Sequence, residues 1–200
     1  MSLAACALRI ATTRILAAAL PAPFEVLDSP QDVIPLLESD APKPFAAVFT
    51  GSITTEIEGR QLLCGDSKIS LHIQILVPET FAFSLPGGGG LELDTRRQGA
   101  ETLFDAICRR AELALISCDT NWSVLWNDLV MRTPQKRVSS YLVESAKIRA
   151  PAREYTLDCE TIAEPVPGAA PSGTWANLLA LMRADGSGDG LSIIADWMES

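Results

Sequence analysis

Apolar and polar residues alternate most sharply between Lys68 and Val77. Ile69, Leu71, Ile73, Ile75 and Val77 share one parity; Lys68, Ser70, His72 and Gln74 share the other. A period of two sustained over this stretch predicts a strand with one buried face, as in antiparallel sheets, and Pro78 ends it. Upstream the period changes. Leu8, Ala11, Ile15, Ala18 and Ala19 recur at three- and four-residue spacing with Arg9 and Thr13 opposite, which predicts a helix over residues 3–19, stopped by Pro21 and Pro23. Phe24–Asp28 reads as a short strand, residues 31–43 as a proline-punctuated loop with one helical turn, and Phe45–Ile57 as a longer strand.

Residues 79–94 read as a flexible loop with Pro86 and Gly87–Gly90 at its tip. Thr95-Arg96-Arg97-Gln98 has the form of a capping box. It opens a helix over 95–116 with a stripe of Ala100, Leu103, Phe104, Ile107, Ala111 and Ala114. A second short helix holds Trp122, Leu125, Trp126 and Leu129, and Val138–Ile148 and Tyr155–Ile162 are expected to form a hairpin turning at Ala150-Pro151-Ala152. The run Pro165–Gly173 cannot pair as a central strand and reads as a linker. Beyond it Trp175, Leu178, Leu179 and Met182 fit a short helix, Asp185–Gly190 a break, and Leu191–Met198 a further helical turn or two.

The order is helix, strands, helix, strands, then an arm. That is α+β, a mostly antiparallel sheet flanked by two main helices, with a domain over 1–163 and a C-terminal arm over 164–200. The arm's apolar residues are too few for a core of their own. Its stripe is expected to dock in a partner's groove; folding back onto its own sheet is the competing expectation. Trp175, Leu178, Leu179 and Met182, with Arg96 and Arg97, are therefore the candidate partner-contact residues.

Composition narrows the function classes. With 48% apolar and 20% charged residues in 200, the chain can bury a core without a disulfide or metal staple. The net charge of −9 repels nucleic-acid phosphate and anionic lipid alike. The charge is uneven: residues 95–150 carry +3, against −8 on 21–94 and −6 on 151–200. Opposite fields of this kind suit head-to-tail contact between copies, or are ordinary solvated charge. Arg9 and Arg14 interrupt the longest apolar run, which falls short of the ~20 residues a membrane helix needs. Leu3-Ala4-Ala5-Cys6 spells a lipoprotein box but lacks a basic start and hydrophobic region, so no leader is expected. The five cysteines (Cys6, Cys64, Cys108, Cys118, Cys159) are odd in number and form no C-x-x-C pair, which fits free thiols in a reduced compartment.

Catalytic motifs are scarce. His72 is the single histidine and lies on the polar parity of a strand, so neither a two-histidine metal site nor a Ser-His-Asp arrangement has a natural centre. Gly87–Gly90 is followed by Leu91-Glu92-Leu93-Asp94 in place of the Gly-Lys-Ser/Thr of a phosphate loop. Asp185–Gly190 lacks the third acidic ligand and closing Glu of a calcium loop. Glu56 and Glu58 share a strand face without a pocket signature, and Trp122 and Trp126 share a helical face suited to core or interface. No catalytic, metal or cofactor-binding residue is assigned.

One pattern extends over most of the chain. An N-terminal helix leads to a short strand ending in Asp28-Ser29-Pro30, then to the apolar strand Pro44-Phe45-Ala46-Ala47-Val48-Phe49-Thr50-Gly51. An acidic turn, the strand Leu71-His72-Ile73-Gln74-Ile75-Leu76-Val77-Pro78, a long helix and a final Arg153-Glu154-Tyr155-Thr156-Leu157 strand follow. Over residues 3–163 this order resembles the tail terminator proteins of long-tailed, lambda-like bacteriophages with non-contractile tails. Residues 79–94 are longer than usual for that family, and 165–200 has no counterpart in it. The resemblance implies a homo-oligomeric ring of six that caps the tail tube, ends its polymerisation and joins it to the head connector. Its partners would be the tail tube protein and the head completion or connector protein, with DNA only as passing cargo and no enzymatic activity. The ring would sit at the head–tail junction of the virion, assembled in the host bacterial cytoplasm. A negative lumen would let DNA slide through such a ring. Two other readings stay open: another head–tail joining protein, such as a stopper or completion factor, and a small enzyme with an unrecognised carboxylate or cysteine site.

Overall fold

The computed structural model describes residues 2–30, 34–38, 43–55, 67–78, 80–84, 90–94, 100–144, 149–165, 170–186 and 190–199. Its elements in chain order are α1 (Leu3–Ala19), β1 (Glu25–Asp28), α2 (Ile34–Leu37), β2 (Phe45–Thr55), β3 (Ser67–Leu76), β4 (Thr80–Ser84), β5 (Gly90–Asp94), α3 (Ala100–Ile116), α4 (Asn121–Leu129), β6 (Val130–Glu144), β7 (Arg149–Thr161), α5 (Thr174–Ala184) and α6 (Leu191–Glu199). Five strands form one sheet in the order β1-β2-β3-β7-β6, and β4 pairs with β5 separately. Only β1 and β2 run parallel; β2–β3, β3–β7 and β6–β7 are antiparallel. The architecture is α+β, as the element order predicts.

The alternation in β3 organises the sheet. Ile69, Leu71, Ile73 and Ile75 stand opposite Cys159, Leu157, Tyr155 and Arg153 of β7. The four β3 side chains are all at most 1% exposed and belong to one core cluster with α1, α3, α4 and α5. The opposite parity stays polar along most of the sheet. At one end it carries a second, smaller cluster of Phe45, Ala47, Leu76, Ala150 and Ala152.

α1 is more deeply set than its expected single stripe. Ala4, Ala7, Leu8, Ala11, Thr12 and Leu16 are fully buried and Thr13 nearly so, while Ala18 is exposed. The helix lies between β1–β3 on one side and α3 and α4 on the other, so it buries most of its circumference. The threonines are tolerated because their hydroxyls bond back to the helix, Thr12 Oγ1 to the Leu8 carbonyl at 2.7 Å and Thr13 Oγ1 to the Arg9 carbonyl at 2.9 Å. Trp126 Nε1 of α4 donates to the Thr12 hydroxyl at 3.1 Å. At the helix start, Ser2 accepts from the Ala5 amide, and Glu164, just past β7, accepts from the Ala4 amide at 3.1 Å and from Ser2 Oγ at 2.5 Å. A carboxylate there satisfies orphan donors and complements the helix dipole.

Three expectations need correction. Residues 80–84 and 90–94 are paired strands, with Phe81 opposite Leu93 and Phe83 opposite Leu91, where a loop was expected: each segment is short, but each alternates. The residues 85–89 between them, and the expected capping box at 95–98, lie outside the described residues. The hairpin does not turn at Ala150-Pro151-Ala152, because these residues lie inside β7 opposite Val143, Leu142 and Tyr141. Pro151 fits because its carbonyl accepts from Val77, past the end of β3, where no strand continues to require its missing N–H. β6 also starts earlier than Val138, and register shifts between Val130 and Gln135 accommodate Pro134.

The arm is the third correction. Trp175, Leu178, Leu179 and Met182 are buried in the same cluster as β3 and α1, so these four candidate partner-contact residues face their own domain. Gly173, at φ +56° where other residues are strained, turns the chain into α5. Trp175 Nε1 then donates to the Ala163 carbonyl at 3.1 Å, and Arg14 pairs with Asp185 at 2.5 Å. The stripe is too small for an independent core, but α4 already offers it an apolar surface. Arg96 and Arg97 lie outside the described residues.

Leu71→Ala and Met182→Ala should each lower the unfolding free energy by about 2–5 kcal/mol, read from the urea midpoint. A Met182→Ala protein as stable as the parent would show that α5 is not part of the core.

Candidate functional site

The polar face of β3, β7 and β6 is built by the same alternation that fills the core. It carries His72, Ser70 and Lys68 on β3, Glu154, Thr156, Asp158 and Glu160 on β7, and Arg137 and Arg132 on β6. The charges answer one another across strands. Asp158 accepts from Ser70 at 2.8 Å and from Arg137 at 3.0 Å, and Glu160 pairs with Arg132 at 2.5 Å. Arg132 holds the Glu160 carboxyl below its ordinary range.

His72 sits at the centre of this face. Its Nδ1 lies 2.5 Å from Glu154 Oε1 and its ring tilts against Phe49. A Cβ placed on Gly51 would come within 2.5 Å of His72 Nε2. The bulge between Thr50 and Ile53 therefore lays a bare glycine backbone beside the imidazole. A carboxylate on Nδ1 is the arrangement that orients a catalytic histidine, yet the Nε2 that would act is set against β2. The chemistry of this pair is that of a cross-strand clasp.

The helix side of β6 and β7 holds two further ionic groups. Arg153 is buried, bonds Asp105 and Glu101 of α3, and lies 5.3 Å from the centre of the Phe104 ring. Lys136 bonds Glu112 at 2.8 Å and lies over the Tyr155 ring. Burial alone would raise the Glu112 carboxyl, but hydrogen bonds from Lys136 and Tyr155 and the charges of Lys136 and Arg109 outweigh it and leave it lowered. Burial and Glu112 together push the Tyr155 phenol up. Arg109, Arg132, Lys136 and Arg137, part of the basic charge in 95–150, thus meet acids of the same chain.

Three of the described thiols are poorly suited to nucleophilic work. Burial raises Cys6 and Cys108 and pushes Cys159 up to about 12, keeping them protonated at neutral pH. Cys118 is exposed; Cys64, Glu56 and Glu58 lie outside the described residues. Among the described residues no group of three His, Cys, Asp or Glu side chains could hold a metal, and no helix is long and apolar enough to cross a membrane.

Among the described residues the helical layer has shallow grooves of mixed lining. One runs between α1 and α3, where Ile15, Ala18, Leu113 and Ala114 meet Arg110, Ser117, Asp119 and Thr120; another runs between α4 and α5, where Val124, Leu125, Ala180 and Leu181 meet Asn121, Asp128 and Asn177. Leu113, Ile116 and Val124 are 46%, 61% and 43% exposed. No sequence signal marked these residues, because an exposed leucine and a buried one are written alike. Comparison with protein-family models and with curated proteins finds no match to the chain.

Gly51→Ala should displace the His72 ring and cost about 1–3 kcal/mol by overpacking. In the His72→Ala background the same substitution should cost far less, giving a coupling of about 1 kcal/mol or more in a double-mutant cycle. Additive costs would contradict the contact. Glu112 gives a pH test. Its folded pKa is lowered, so its contribution is present above the unfolded value of about 4.3 and is lost as pH falls through the folded one. Urea midpoints should fall below about pH 4.3, and Glu112→Gln should flatten that fall.

Proposed function

We propose that this chain is a structural subunit of a bacteriophage tail, a terminator-like protein that forms a ring, six copies in the family it resembles. The ring caps the tail tube, ends its growth and joins it to the head connector at the head–tail junction of the virion. The observation that carries an assembly role is the exposure of three large apolar side chains on the helical layer, Leu113, Ile116 and Val124, at or beside the two grooves. Apolar groups of this kind on a layer already packed against its sheet suit burial by neighbouring subunits. The tail-specific part rests on the order of elements over residues 3–163 and on the α+β sheet that this order builds. The chain acts by packing, without a catalytic step; the tail tube and head connector proteins are its partners and DNA passes as cargo.

Electron microscopy of particles from the genome that encodes this chain tests the reading. A ring of copies at the junction of tube and head is expected, and Leu113→Glu should abolish its incorporation while leaving the melting temperature of the free protein within a few degrees. A ring on the head side of the junction would make it a stopper or completion protein. A single copy, or none at the junction, would overturn the proposal.

A further inference from the structure

β6 is the last strand of the sheet, and its two halves differ as edges. Residues 130–137 carry Arg132, Pro134, Lys136 and Arg137 and two register shifts, the devices that keep an edge strand from pairing with another chain. Residues 138–143, Val-Ser-Ser-Tyr-Leu-Val, carry no charge, proline or glycine and pair with β7 without a shift. A six-residue stretch of this composition on an open edge is a template for a further strand. Val138, Leu142 and Tyr141 are 49%, 40% and 37% exposed, and among the described residues no strand pairs with the outer side of β6.

Backbone geometry says which groups face outward. In an antiparallel strand the N–H and C=O of one residue point to the same side, and successive residues alternate. The Pro151 carbonyl accepts from Val77, so Pro151 points toward β3. Ala150, Ala152 and Glu154 then point toward β6, where they meet Val143, Tyr141 and Ser139. The alternation leaves the N–H and C=O of Val138, Ser140 and Leu142 directed away from the sheet.

This segment is complementary to itself. About a two-fold axis through Ser140, Val138 of one copy meets Leu142 of the other, Ser140 meets Ser140, and all of these residues are of the outward-bonding kind. Each facing pair can exchange both backbone hydrogen bonds. The same register sets Lys136, already bonded to Glu112, opposite Glu144 at both ends, and it stacks apolar Val138 on apolar Leu142 on one face. We propose that the free chain forms a two-fold dimer in which β6 pairs antiparallel with β6 of a second copy over residues 136–144, making one continuous ten-stranded sheet from the two five-stranded ones. A two-fold contact closes on itself and builds no ring, so this dimer stands apart from the tail reading and survives its failure.

Sedimentation velocity across a concentration series, on the full chain, tests it. Ser140→Pro removes the outward N–H at the axis and spares the bonds from β6 to β7, whereas Ser140→Ala keeps that N–H. The parent and Ser140→Ala should sediment as dimers with similar dissociation constants, and Ser140→Pro should raise the constant by about tenfold or more. Leu142→Lys, which places a charge on the open edge and changes no backbone, should do the same and guards against misfolding of the proline variant. Circular dichroism should show both variants folded. A monomeric parent at all concentrations, or a dimer that both variants leave intact, would overturn the proposal.

Discussion

One constraint governs the molecule: β3 is the middle strand of its sheet, and only one of its faces is apolar. A central strand bonded on both edges cannot tilt to hide a polar face, so the helices must gather on the side of Ile69, Leu71, Ile73 and Ile75. α1 answers this requirement most directly. Its alanines at positions 4, 7 and 11 are fully buried and share one core cluster with β3, where close packing gains dispersion energy. Two buried threonines are accommodated because the helix carbonyls and the Trp126 indole satisfy them. Among the described residues no buried side-chain nitrogen or oxygen lacks a partner.

The layer so begun has to be completed. α3 and α4 cover α1, and α5 closes the layer against α4, burying Trp175, Leu178, Leu179 and Met182. The C-terminal segment therefore belongs to the core in spite of its proline-rich approach. Polar contacts reinforce this closure: Glu164 caps α1, Arg14 pairs with Asp185, and the Trp175 indole bonds Ala163. The outer surface left over is of two kinds, a helical side that exposes Leu113, Ile116 and Val124 among charged residues and a polar sheet side laced with cross-strand ion pairs. Ion pairs exposed in this way add little stability; they keep the sheet face hydrated and orderly.

Local periodicity accounts for what was legible in the sequence. β3, the part of β7 from Tyr155 onward, α3, α4 and the α+β class follow from spacing alone, because burial on one face writes itself into every second or every third and fourth residue. What escaped depends on three-dimensional context. The strand was expected to begin only at Val138, past Pro134 and its charged neighbours, yet on an edge strand a missing N–H is cheap. Pro151 read as a turn, though it sits where β3 has ended. The destination of the Trp175–Met182 stripe was undecidable from spacing, since a partner's groove and the chain's own α4 present the same kind of surface. The clasp of His72 had a faint signal in Gly51, which marks a close approach only once the bulge in β2 is known.

A single core shared by the sheet, α1 and the C-terminal helix α5 requires that the three open as one unit. Native-state hydrogen exchange measures this directly, through the free energy at which individual amides become accessible. The amides of α5 at Leu178, Leu179 and Met182 should exchange with the same opening free energy and denaturant dependence as those of β3 at Leu71 and Ile73. If the α5 amides exchange through a low-energy opening that leaves β3 fully protected, the C-terminal segment is an appendage and the single-core account is wrong.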